Sequence, residues 1–209
     1  MDTEILPLNS STTSTPSKPS EGGSSASSIV TGGEFAPGTM AIYALHGKCL
    51  VAALETRTVG GETNRFYKLE IQKSALSRSS RPEPAIWLPV NTARERGLRE
   101  IMSPAQAEVV FAILNSREYY FSIDEAWNIL QSKLETTIRL EGAAGMAKVV
   151  SFLHVLKKRQ IVPTPEVAKL DTLVHKLMMR ELVEVMGEQP RAIDDRITKA
   201  LRHKLLPDH

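Results

Sequence analysis

Two hydrophobic periods divide the chain. Leu50, Ala52 and Leu54 alternate with Val51, Ala53 and Glu55, and after Gly60-Gly61 the residues Tyr67, Leu69 and Ile71 alternate with Lys68, Glu70 and Gln72. A step of two on either side of a double glycine predicts a β-hairpin, because glycine reaches the positive φ that tight turns need. His46-Gly47 predicts a second tight turn. Ala85 to Leu88 predicts a further strand, ended by Pro89, which lacks the N–H for a ladder. About five short strands with no helix between them predict a small twisted sheet or barrel. Its core is thin enough to need support from the rest of the chain.

From residue 103 the period becomes helical. Ser103-Pro104 reads as an N-cap with proline in the first turn, ahead of Val110, Phe111 and Leu114 on one face. Ser122 and Glu125 have capping-box spacing, and Trp127, Leu130, Leu134 and Ile138 follow at steps of three and four. Met146, Val149, Val150, Leu153 and Leu156 predict a third helix, closed by Lys157-Lys158-Arg159, whose charge suits a helix C-terminus. Thr164-Pro165-Glu166 opens a fourth, with Val167, Leu170, Val174, Leu177 and Val185 inward and Gly187 as its stop. Ile193, Ile197, Leu201 and Leu205 give a fifth after Pro190. The expected architecture is α+β, a β module over 34-92 followed by a compact all-α domain of about five helices over 93-209. The first 33 residues, rich in Ser, Thr, Pro and Gly, are expected to be a disordered tail, since they hold too little apolar surface to offset ordering entropy.

Composition narrows the function classes. The 209 residues carry a formal charge of +2, which argues against a highly basic, histone-like protein. One cysteine, Cys49, excludes an internal disulfide and suggests a reducing compartment. No run of about 18 apolar residues and no signal-peptide pattern appears, so neither a membrane span nor a membrane partner is expected. His46, His154, His175, His203 and His209 show no metal-ligand spacing with one another or with Cys49. With no nucleophile elbow and no phosphate-binding glycine loop, the sequence points away from an enzyme and calls for no cofactor.

A longer ordered pattern runs through the β-patterned part. Phe35-Ala-Pro-Gly-Thr-Met-Ala-Ile-Tyr-Ala-Leu-His-Gly47 is followed by Leu54-Glu-Thr-Arg57, by Gly60-Gly61, by Phe66-Tyr-Lys-Leu69 and by Trp87-Leu-Pro-Val90. Gly97-Leu98-Arg99 then leads into the helical half. This order resembles the bacterial CarD/CdnL family of RNA polymerase-binding transcription regulators over roughly residues 35 to 185. Ala44 stands where that family usually has proline. The resemblance implies a Tudor-like β module that binds the RNA polymerase β subunit. It also implies a helical domain that approaches promoter DNA at the upstream edge of the transcription bubble, where a tryptophan acts as a minor-groove wedge. A cytoplasmic, nucleoid-associated protein is expected.

Carried over position by position, Arg57 matches an arginine used at the polymerase contact, its guanidinium suited to a carboxylate. Trp87 falls where the family often has arginine; it is either an interface anchor or core. Trp127 is the nearest counterpart of the wedge, yet it also falls on the apolar stripe, and Asn128 and Ile129 replace the usual arginine pair. Lys133 and Arg139 are candidates for phosphate contacts, with a solvated helix face as the alternative. The family pattern Val-Val-Arg appears as Val149-Val150-Ser151. The basic insertion between Ile71 and Trp87, with Lys73, Arg78 and Arg81, is expected to be a loop that modifies the partner contact or admits an additional protein factor. The competing class is a protein–protein adaptor that retains the polymerase-binding module without promoter contact.

Overall fold

The computed structural model describes residues 33–72, 84–158 and 165–204. The Ser-rich N-terminal run, the insertion residues Lys73, Arg78 and Arg81, and Arg159, Thr164, Leu205 and His209 lie outside them. From Glu34 onward the chain forms one compact unit. It is α+β, with a five-stranded antiparallel sheet followed by four helices among the described residues.

The strands are β1 (Met40–Tyr43), β2 (Gly47–Val59), β3 (Glu62–Ile71), β4 (Ile86–Pro89) and β5 (Leu98–Arg99), in the spatial order β4-β3-β2-β1-β5. The predicted hairpin is β2–β3, turning at Gly60 and Gly61, both at positive φ. A bulge between Val51 and Ala53 interrupts its register. Before the bulge Cys49 and Val51 face the sheet's core; after it Leu54 does, opposite the buried Tyr67. The extra residue therefore turns Ala53, Glu55 and Arg57 onto the opposite, outer face. Phe35, Cys49, Val51, Tyr67, Leu69, Leu88 and Leu98 form the sheet's own hydrophobic cluster. Burial pushes the Cys49 thiol up to about 11, so the thiolate needed for reactivity is scarce at neutral pH. The incoming chain is pinned by a bidentate Glu34–Arg65 pair and by the Phe35 amide donating to Tyr67 Oη at 2.9 Å. β5 pairs with β1 beyond residue 92, so the sheet reaches further along the chain than the strand pattern does.

The helices are α1 (Pro104–Asn115), α2 (Trp127–Lys158), α3 (Pro165–Met186) and α4 (Pro190–Leu201). Four are found where the periodicity predicts five. The expected second and third are two arms of the 32-residue α2, which meet without a loop at the non-helical Gly142 (φ 59°, ψ −122°). The corner is tight: a Cβ on Gly145 would lie 2.3 Å from the Thr137 carbonyl oxygen. At α1 the predicted cap is present, with Ser103 Oγ accepting from the Gln106 amide and Gln106 Oε1 accepting from the Ser103 amide. The Ser122–Glu125 capping box does not form. Ser122 Oγ accepts from the nearby Asp124 amide, Glu125 pairs with Lys133, and α2 starts five residues after Ser122. Gly187 ends α3 at φ +65°. Apolar faces of all four helices meet in a second cluster that includes Phe111, Leu134, Val149, Leu153, Val174, Met178, Leu182 and Ile197.

Candidate functional site

Arg57 and Trp87 lie 30 positions apart, and the sheet register brings them together. β3 pairs on one side with β2 and on the other with β4, where Lys68 opposes Trp87. The Arg57 guanidinium carbon sits 3.1 Å from the centroid of the Trp87 ring, and Glu55 lies 3.5 Å from its Nη2. Trp87 is half-buried on the outer face and is not part of the sheet's apolar cluster, which removes the core reading for it. A guanidinium stacked on an indole keeps its edge N–H groups directed outward, preorganised for a carboxylate. With its side chain 41% exposed, Arg57 is accessible to a partner.

The residues expected at DNA do not form one patch. Trp127, Lys133 and Arg139 all lie on the first arm of α2, but steps of six residues turn them about 240° and 120° away from Trp127 at ~100° per residue. Trp127 is half-buried, packs against the helical cluster, and has its Nε1–H buried without an acceptor among the described residues. Lys133 is tied to Glu125. Arg139 is exposed; with Tyr43, His46, Ser132 and Thr136 it lines a cleft of about 340 Å3 between the Ala44–His46 turn and α2. Ser151 is 2% exposed on the inner side of α2, so this position faces the core instead of a nucleic acid.

A more coherent basic surface lies on α3. Lys169, Lys176 and Arg180 are all exposed, and none forms an ion pair among the described residues. Their seven- and four-residue spacing keeps them within about 40° around the helix, a stripe roughly 16 Å long. It lies opposite the buried Val167, Leu170, Val174 and Leu182. The signal was present in the sequence as cations at i, i+7 and i+11, hidden by the apolar repeat that dominates the same helix.

Other charged groups are structural. Lys204 is 2% exposed and donates to the Glu118 carbonyl at 3.0 Å, and burial lowers its pKa. Burial first, then Lys158 and Lys157, lowers that of His154, whose Nε2 has no partner among the described residues. The Arg94 hydrogen bonds hold the Glu100 carboxyl below its usual range. Among the described residues no group of three or more His, Cys, Asp or Glu side chains is arranged to hold a metal, and no helix is long and apolar enough to cross a membrane. No family model matches the chain.

Proposed function

We propose that this chain is a transcription regulator of the CarD/CdnL type, with a Tudor-like module that binds the RNA polymerase β subunit and a helical half that acts on the promoter open complex. The observation that carries the reading is the Arg57–Trp87 stack on the sheet's outer face. An aromatic anchor beside an arginine is the composition of an interface hot spot, and the stacked guanidinium is suited to a carboxylate on the β subunit. The protein acts by binding, without a cofactor, in the cytoplasm at the nucleoid. Polymerase supplies the local concentration, so the DNA contact itself is weak. A preference for the open over the closed complex of about 1.4 kcal/mol shifts their ratio tenfold.

The cations of the helical half suited to phosphates are Lys169, Lys176 and Arg180, with Arg139 as a separate contact. Trp127 acts as a wedge by leaving the helical cluster, where its N–H has no acceptor among the described residues. A second reading, an adaptor that keeps the polymerase contact without touching DNA, is favoured by the packing of Trp127 and the Lys133–Glu125 pair. Gel mobility of a promoter fragment with polymerase, with and without this protein, separates the two. The regulator gives a further, salt-sensitive shift that Trp127→Ala weakens; a shift indifferent to salt and to Trp127→Ala supports the adaptor.

A further inference from the structure

Two of the sequence pieces that carry the family resemblance, His46-Gly47 and Gly97-Leu98-Arg99, and the corner of α2 at Leu140-Glu141-Gly142 contribute nothing to the outer sheet face or to the α3 stripe. All three converge on the junction between sheet and helices. A Cβ on Gly47 would come 2.8 Å from Leu177 of α3. One on Gly97 would come 2.9 Å from the Ala44 Cβ and 3.1 Å from Arg139 Cγ on α2. One on Gly142 would come 2.6 Å from Arg99 Cδ on β5. Each glycine has positive φ, and each lies where the other half approaches closely.

Arg99 crosses this junction. It leaves β5, passes beneath the corner of α2 at Gly142, and meets Glu181 of α3 through two parallel hydrogen bonds of 2.6 Å. The Glu181 side chain is 3% exposed and also accepts from the Met102 amide at 2.9 Å, while Arg99 Nη1 donates to the Glu100 carbonyl. A fork-to-fork pair fixes direction as well as distance, because both partners are planar. Apolar packing does not close the junction alone. Beside the pair the halves part around a cavity of about 310 Å3 lined by Ile42, Gly47, Met146, Leu177 and Val183. The sheet and the helices each have their own hydrophobic cluster, so each half is held together without the pair.

We propose that Arg99 and Glu181 are positioning residues. They hold the sheet's outer face and the helical half in one fixed orientation, so that polymerase binding at Arg57 delivers the helices to one place on the promoter. The rigid junction stands on the geometry alone; its consequence at the promoter rests on the function proposed above.

The test uses the full chain with spin labels at Glu70→Cys and Thr172→Cys, both exposed. Electron–electron distance measurements are expected to give one narrow distribution, which Arg99→Met broadens at least twofold while helical circular dichroism is retained. Arg99→Lys serves if Arg99→Met does not fold, since lysine keeps the charge and loses the fork. An unchanged width in the folded variant overturns the proposal. In unlabelled protein, Arg99→Lys is expected to bind the isolated β lobe within twofold of wild type while losing at least tenfold of the effect on open-complex lifetime. Equal loss in both assays assigns Arg99 to general stability and overturns the positioning role. Failure of wild type to bind the β lobe removes the promoter consequence only, and the distance widths then decide the junction.

Discussion

Gly142→Ala isolates the physics of the junction. Its backbone (φ 59°, ψ −122°) lies outside the regions open to alanine, a strain of about 1–3 kcal/mol. The new methyl would also lie 2.6 Å from Arg99 Cδ and 2.7 Å from its Nε. A flexible side chain would normally move aside, but Arg99 is held by both Glu181 oxygens. The collision thus adds an overpacking cost of about 1–3 kcal/mol. The combined central value is about 4 kcal/mol, or a fall in Tm of about 8–16 °C for a chain of this size. Gly61→Ala is the control: it too has positive φ (+86°), but nothing lies within 4 Å of a Cβ there. It is expected to cost only about 1–2 kcal/mol. The comparison is made by calorimetric melting and completed in an Arg99→Ala background, where the collision partner is gone and Gly142→Ala retains only its backbone term. An equal cost of Gly142→Ala in both backgrounds would refute the argument.

Ala44, the only described non-glycine residue with positive φ (+37°), gives a second test. Ala44→Gly is expected to raise stability by about 1 kcal/mol in denaturant melts, whereas Ala44→Pro is destabilising because proline fixes φ near −65°. His154 has a folded pKa depressed below its ordinary 6.5, so its contribution is fully present above that pH and is lost as pH falls through the folded value. Unfolding midpoints measured across that acid range are expected to fall less steeply for His154→Gln. Replacing Lys169, Lys176 and Arg180 with alanine together is expected to reduce the log–log salt slope of promoter binding by the polymerase complex by about 3, roughly one per cation. An unchanged slope would remove α3 from the DNA contact.

Elements with a strong period were legible in the chain. The β2–β3 hairpin, the Ser103 cap and the inward faces of α3 and α4 all follow from spacing. β5 was not legible as a strand, because two residues have no period. Neither was the bulge after Val51, although it decides which way Arg57 points, since one strand's alternation does not reveal an extra residue against its neighbour. The Arg57–Trp87 stack depends on how three strands register, which is a property of the sheet as a whole. By contrast, the angular scatter of Trp127, Lys133 and Arg139 was available from their six-residue spacing alone. Glu181 carried a signal too, as a carboxylate on the apolar side of α3, but its arginine partner lies 82 positions away. Of the junction glycines only Gly47 read as a turn in sequence, and Gly97 and Gly142 carried no such signal, because the close approach of a distant element is visible only in three dimensions.

Polymerase binding through the outer sheet face is decided by measuring capture of the isolated RNA polymerase β lobe by wild-type protein, by Trp87→Ala and by Arg57→Glu. Exposed Arg57 tolerates the substitution without unfolding, so circular dichroism should be unchanged. Wild type is expected to retain the lobe, Trp87→Ala to bind it more weakly because the ring beneath the guanidinium is gone, and Arg57→Glu to lose it. Equal retention by all three proteins, or none by wild type, would overturn polymerase binding through this face.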